Sequence, residues 1–221
     1  MQHAIDSSLK TRKALSRGAG LSLFVIAIWI GGCHSLPQGN PQTLAKPAPP
    51  RVILLRGWQD LYSEGIDQLG NEIAAHGIAT EVFRANQWQD VADTLSRSSG
   101  TRPLILVGFS YGADDVILIA RQLRDAHCPV DLLITIDPVT PQPVPGNVRR
   151  CFNYYESNGV WDAFPWLRGV PLKSEAANVH NLNLRTDRKD LLQEDTSHAT
   201  IAGNPLLHRE IVRRVVEGLN R

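Results

Sequence analysis

Short apolar runs alternate along this chain with stretches of helical periodicity. Val52-Ile-Leu-Leu55 is apolar throughout, ends at Arg56-Gly57 and reads as a buried strand. Leu61, Ile66, Leu69 and Ile73 recur at roughly helical spacing over 60–76, and Gly77 supplies a stop. Thr80–Phe83 reads as a second strand, Val91 and Leu95 mark a short helix over about 88–98, and Pro103–Val107 is a third strand. A helix over 112–126 turns Val116, Ile117, Ile119, Ala120 and Leu123 inward. Val130–Ile136, Arg150–Tyr155 and Val179–Leu184 read as the fourth to sixth strands. Leu207, Ile211, Val215 and Leu219 recur every four residues, the signature of an amphipathic last helix over about 204–220. Most strands lack polar–apolar alternation, as strands covered on both faces do. The pattern predicts an α/β fold of three layers, a mostly parallel sheet with helices on both faces.

The first 50 residues follow another pattern. Lys10, Arg12, Lys13 and Arg17 precede an apolar run of about ten residues, Leu21 to Ile30, the n-region and h-region of a secretory signal. A membrane-spanning helix wants roughly 20 residues. The run ends in Ile30-Gly-Gly-Cys33, which resembles the lipobox of bacterial lipoproteins, although the usual leading Leu is missing. The resemblance implies cleavage after residue 32 and acylation of Cys33; the other reading is an uncleaved signal anchor. Both place the protein outside the cytoplasm, in a bacterial envelope, held at the membrane or free in the periplasm. Residues 34–50 hold five prolines between Leu36 and Pro50 and form neither a helix nor a central strand. They read as an extended tether. The organisation expected is a signal segment over 1–33, a linker over 34–50 and one folded domain over 51–221.

The chain has 221 residues and a formal net charge of +1. Setting aside the four basic residues and one acid of residues 1–32 leaves 19 Lys+Arg against 21 Asp+Glu, so the basic excess belongs to the leader. That balance gives no footprint for nucleic acid. No phosphate-binding or dinucleotide loop is written in the sequence, and no Cys/His cluster has zinc spacing, so no cofactor is expected.

The chemistry concentrates at Gly108-Phe-Ser-Tyr-Gly112, where the third strand runs straight into a helix. In that context G-x-S-x-G is a nucleophile elbow: the turn is tight enough to need small residues on either side, and it lifts the Ser110 hydroxyl above the sheet edge. The amides that follow lie at a helix N-terminus and face any anion formed there. The bland alternative is a turn serine capping the helix.

The order strand, elbow, helix, strand, then a late histidine before a C-terminal helix resembles the α/β-hydrolase family over residues 51–221. The resemblance implies a compact member of the lipase, esterase or thioesterase type, with bases and acids in the order Ser, Asp or Glu, His. His198 lies in the polar loop Glu194–Thr200 directly before the last helix, where the family keeps its base. His180 falls within a strand and His208 within the last helix. Asp137 ends the fourth strand, where thioesterase-like members place their acid; Glu156 and Asp162 follow the next strand, which most members use. For the oxyanion, the resemblance implies the N–H of Tyr111 and one from Arg56-Gly-Trp-Gln59, with Trp58 preferred to Gln59. This chain has Arg-Gly where the family often has His-Gly.

Trp161, Phe164 and Trp166 are candidates for an acyl-binding wall or plain loop packing. Cys128 precedes the fourth strand and Cys151 begins the fifth; if those strands are neighbours, both cysteines lie at one end of the sheet, and outside the cytoplasm a disulfide between them is expected as readily as not. The expectation is hydrolysis of an ester or thioester of a small-molecule or lipid-like acyl substrate. The rival from another class is a catalytically silent hydrolase fold tethered at the membrane as a binding module.

Overall fold

The computed structural model describes residues 51–98, 103–157, 168–176 and 178–219. The expectations for the signal segment, Cys33, the tether, Trp161, Asp162, Phe164 and Trp166 fall outside them. In chain order the elements are β1 (Arg51–Leu55), α1 (Glu64–Ala74), β2 (Ala79–Phe83), α2 (Trp88–Arg97), β3 (Leu104–Phe109), α3 (Tyr111–Asp125), β4 (Leu132–Ile136), β5 (Cys151–Tyr155), β6 (Val179–Asn183) and α4 (Pro205–Leu219). All six strands pair in parallel, in the order β2-β1-β3-β4-β5-β6.

The continuous apolar runs are explained by two cores, one on each face. Successive side chains of a strand point to opposite faces. On β1, Val52 and Leu54 join a core with Ile66 and Leu69 of α1 and Ile211 and Val215 of α4. Ile53 and Leu55 join the other, with Val91 and Leu95 of α2 and Val116 and Ile119 of α3. The three-layer α/β architecture expected from the sequence is therefore present, with α1 and α4 on one face and α2 and α3 on the other.

The strand order places the site. From β1 the chain crosses outward to β2, then returns to β3 and proceeds the other way to β6. The connections leaving the C-terminal ends of β1 and β3 diverge there, and open α/β sheets bind ligands in the crevice at such a reversal. Those two ends carry Arg56-Gly57-Trp58 and Ser110.

Two expectations are corrected. The first helix starts at Glu64 rather than near residue 60. Residues 58–60 form a 3₁₀ turn, and Gln59, Asp60 and Tyr62 all have positive φ (49°, 61° and 55°), which no helix accepts. Leu61, counted in the helical spacing, is therefore exposed. The Cys128–Cys151 disulfide is not formed, and both residues are free thiols. Cys151 stands opposite Leu133 in the sheet register, five positions beyond Cys128. At about 3.3 Å per residue that offset exceeds the roughly 7 Å a disulfide spans. The Cys128 thiol turns back to the carbonyl of Ala126 (3.5 Å), and burial pushes the Cys151 thiol far above its ordinary pKa.

Candidate active site

Ser110 occupies the turn between β3 and α3 with φ 56° and ψ −125°, a strained conformation for a residue with a side chain. The two flanking glycines permit it. A Cβ on Gly108 would lie 2.2 Å from the carbonyl oxygen of Gly112, and a Cβ on Gly112 would lie 2.2 Å from that of Arg56. The strand thus turns directly into the helix against the end of β1, leaving no room for a methyl group. The Ser110 N–H is donated to the Ile136 carbonyl of β4 (2.9 Å), which ties the elbow to the strand that carries Asp137.

Three of the residues singled out from the sequence meet here. Ser110 Oγ lies 3.0 Å from His198 Nε2, and His198 Nδ1 lies 3.0 Å from Asp137 Oδ2. An ionised carboxylate only accepts, so Nδ1 carries the proton and Nε2 is free to accept from the serine hydroxyl. The imidazole is packed against the Phe109 ring, with centroids 5.3 Å apart. Its loop is pinned by Thr196, which accepts the Gln193 N–H, and by Thr200, which accepts the Ser197 N–H (2.8 and 3.0 Å).

Asp137 is fully buried and, like Ser110, has a positive φ (49°). Its Oδ1 accepts the Glu156 N–H at 2.6 Å, leaving Oδ2 for the imidazole. Burial pushes this carboxyl above its ordinary pKa, with His198 and the Glu156 amide drawing it back. Gly169 closes over Oδ1 so tightly that a Cβ there would lie 2.1 Å from it. Glu156, the alternative acid, is committed elsewhere: its carboxylate pairs with the Arg185 guanidinium, which also donates to the Thr196 carbonyl (3.1 Å). Arg185 thereby joins the end of β5 to the histidine loop. The third candidate, Asp162, is outside the described residues. His180 stacks on Phe152 of the neighbouring strand, and His208 is buried with Nε2 2.6 Å from the Ala202 carbonyl. Neither approaches the serine as His198 does.

The two oxyanion donors implied by the resemblance flank Ser110. Tyr111 opens α3, so its N–H is one of the amides that no preceding helical turn can satisfy. Gly57 packs against the serine, because a Cβ placed on it would lie 3.2 Å from that of Ser110. The Gly57 N–H is donated to Ser63 Oγ (2.9 Å), which leaves the next amide, that of Trp58, for a ligand. Among the described residues neither the Trp58 nor the Tyr111 amide has a backbone partner. Arg56, the departure from His-Gly, pairs with Asp67 (2.6 Å) and braces the loop instead of entering the site.

The sequence reading passed over Asp114. It sits in the first turn of α3 and accepts the N–H groups of Val139 (3.0 Å) and Thr140 (2.8 Å) together with the Thr140 hydroxyl (3.1 Å). The segment just after Asp137 is thus clamped to the helix that follows Ser110. An acid at +4 from the serine, on the otherwise apolar buried face of the helix, is the signal that marked it. Burial pushes Asp114 up from 3.8 to about 6, although Thr140, Val139 and His198 pull the other way. The folded protein therefore holds this proton more tightly than the unfolded chain. The resulting stabilisation is complete below about pH 4 and lost as pH rises through about 6. In urea unfolding, the wild type is expected to lose about 2 kcal/mol of stability relative to Asp114→Asn between pH 4 and pH 7. A difference that does not vary with pH sinks this account.

A cavity of about 630 Å³ opens over Ser110 and His198, lined otherwise by Trp58, Leu61, Tyr62, Phe109, Tyr111 and Ala199. Fold and site together define a class: a parallel-sheet α/β protein with a strained serine, a histidine and a buried aspartate in one chain of hydrogen bonds at the C-terminal edge of the sheet. No protein-family model matches the sequence, and no curated protein matches it. Among solved structures, the chain is similar to the RedJ thioesterase from the prodiginine biosynthetic pathway in Streptomyces coelicolor (12% identity, 86% of this chain and 98% of that one, TM-score 0.47). It is also similar to a cutinase-like protein from Cryptococcus sp. (12%, 77% and 95%, TM-score 0.47) and to Est1E from Butyrivibrio proteoclasticus (11%, 82% and 92%, TM-score 0.43). At such identities and scores these likenesses carry nothing about activity.

Proposed function

We propose that this chain is a serine hydrolase of the α/β-hydrolase type that cleaves an ester or thioester. The observation that carries the reading is the unbroken relay from Ser110 Oγ through His198 to Asp137, two 3.0 Å contacts opening onto a cavity. A serine hydroxyl is a weak nucleophile until a positioned base takes its proton. In this reading Ser110 Oγ adds to the substrate carbonyl carbon while its proton passes to His198 Nε2. The Tyr111 and Trp58 amides hold the oxyanion. The intermediate collapses, the bond to the leaving oxygen or sulfur breaks, and the imidazolium returns its proton to that atom. Water then repeats the sequence on the acyl-enzyme, releasing the acid and restoring the serine. Asp137 stays ionised and keeps the imidazole in the productive tautomer.

A fluorophosphonate probe tests this directly. The wild-type protein is expected to label at Ser110, and Ser110→Ala is expected not to label. Equal labelling of the two overturns the enzyme reading and favours the silent binding module.

A further inference from the structure

The residues over the nucleophile have an unusual composition. Among the described residues, the large hydrophobic side chains left exposed are Trp58, Leu61, Tyr62 and Tyr111, and all four line the one cavity above Ser110. Exposed apolar groups scattered singly need no explanation, whereas a contiguous set around a functional cavity marks a binding surface. Among the described residues, no Asp, Glu, Lys or Arg side chain lines that cavity.

The loop that displays these groups is built at a conformational cost. Gln59, Asp60 and Tyr62 all have positive φ, and among the described residues two of the other three non-glycine residues that share this feature are Ser110 and Asp137. Strained backbone persists where the surroundings over-determine it, and it clusters at ligand sites. The surroundings here are specific. Asp60 pairs with Arg84 (3.0 Å) and lies 3.8 Å from Arg56, while Ser63 Oγ accepts the Gly57 N–H and donates to the Leu61 carbonyl (3.1 Å). Leu61 and Tyr62 are thus held in water before any ligand arrives, so little ordering is left to be done on binding. A second cavity that Leu61 and Tyr62 also line is bordered by two carboxylates, Asp60 and Glu64. An apolar chain accordingly belongs on the Ser110 side of the Leu61–Tyr62 wall.

Resting on the hydrolase reading, we infer that the acyl group of the substrate is an uncharged hydrocarbon chain of several carbons, and that Leu61 and Tyr62 set its selection. Each methylene buried in such a groove is worth up to about fourfold in kcat/KM, and a charged chain end has nothing there to pair with.

The test uses p-nitrophenyl esters, in which the leaving group is constant and only the acyl part varies. Wild-type kcat/KM is expected to rise at least tenfold from acetate to hexanoate. The mono-p-nitrophenyl ester of adipic acid, equal in length but ending in a carboxylate, is expected to fall at least tenfold below hexanoate. In Leu61→Ser/Tyr62→Asn the hexanoate-to-acetate ratio is expected to drop at least fivefold; Asn is chosen because it tolerates the left-handed backbone at 62. A protein that labels at Ser110 but shows a flat chain-length profile, or an unchanged ratio in the double variant, overturns this inference alone. A protein that neither labels nor hydrolyses any of the esters overturns the hydrolase reading and this inference with it.

Discussion

Ser110→Ala is expected to lower kcat/KM for p-nitrophenyl hexanoate by about 10⁵-fold, and adding His198→Ala to that variant is expected to lower it little further. Removing any one member of a relay that moves a single proton leaves the others without a task, so the losses do not multiply. On the hydrolase reading, the residual rate over water is expected from the amides and from binding. The geometry makes the coupling strong: the two atoms stand 3.0 Å apart, and both side chains are nearly buried, so bulk water does not readily substitute for either. Single and double variants measured on one ester decide the matter. If the two losses multiply, serine and histidine act in separate steps and the relay is not the mechanism. Unchanged unfolding midpoints would show that the loss is chemical.

The second large effect separates the acid candidates. Asp137→Asn is expected to cost about 10⁴-fold in kcat, because an amide N–H facing Nδ1 favours the tautomer whose Nε2 carries the proton and cannot accept from Ser110. Glu156→Gln is expected to cost less than tenfold. Its side chain faces Arg185, and what it lends Asp137 is its backbone N–H, which the substitution keeps. The greater loss in Glu156→Gln would reverse the assignment and make the Arg185 pair a part of the chemistry. Measuring kcat and KM separately strengthens the contrast, since a residue that orients the base acts on kcat.

Much of the fold was readable because each element announces itself locally. The apolar runs that became strands, the four-residue spacing of Leu207, Ile211 and Val215, and the break at Gly77 all express constraints acting within a few residues. The exception is instructive. Leu61 fits the helical spacing of the residues that follow it, yet salt bridges from Arg56 and Arg84 to Asp60 hold the chain out of the helix at that point. Arg84 lies 24 positions beyond Asp60, and periodicity has no access to it. The disulfide expectation erred in a related way. The two strands are neighbours, but register, which sets the offset between Cys128 and Cys151, depends on pairings along the whole of β4 and β5.

By itself, the sequence determined the elbow. Gly108, Ser110 and Gly112 belong to one five-residue turn, and the steric reason for the glycines, contact with the Gly112 and Arg56 carbonyls, follows from how tightly a strand can turn into a helix. It also determined the two-faced sheet and the position of a histidine before the last helix. Only the tertiary structure decided which carboxylate serves that histidine, since Ser110 and His198 are 88 positions apart and His198 and Asp137 are 61. The same holds for the Asp114 clamp, the Arg185 strut and the exposure of Leu61 and Tyr62. Contacts across such separations are set by strand order and register, which arise from the packing of the whole sheet at once and leave no mark in any short window of residues.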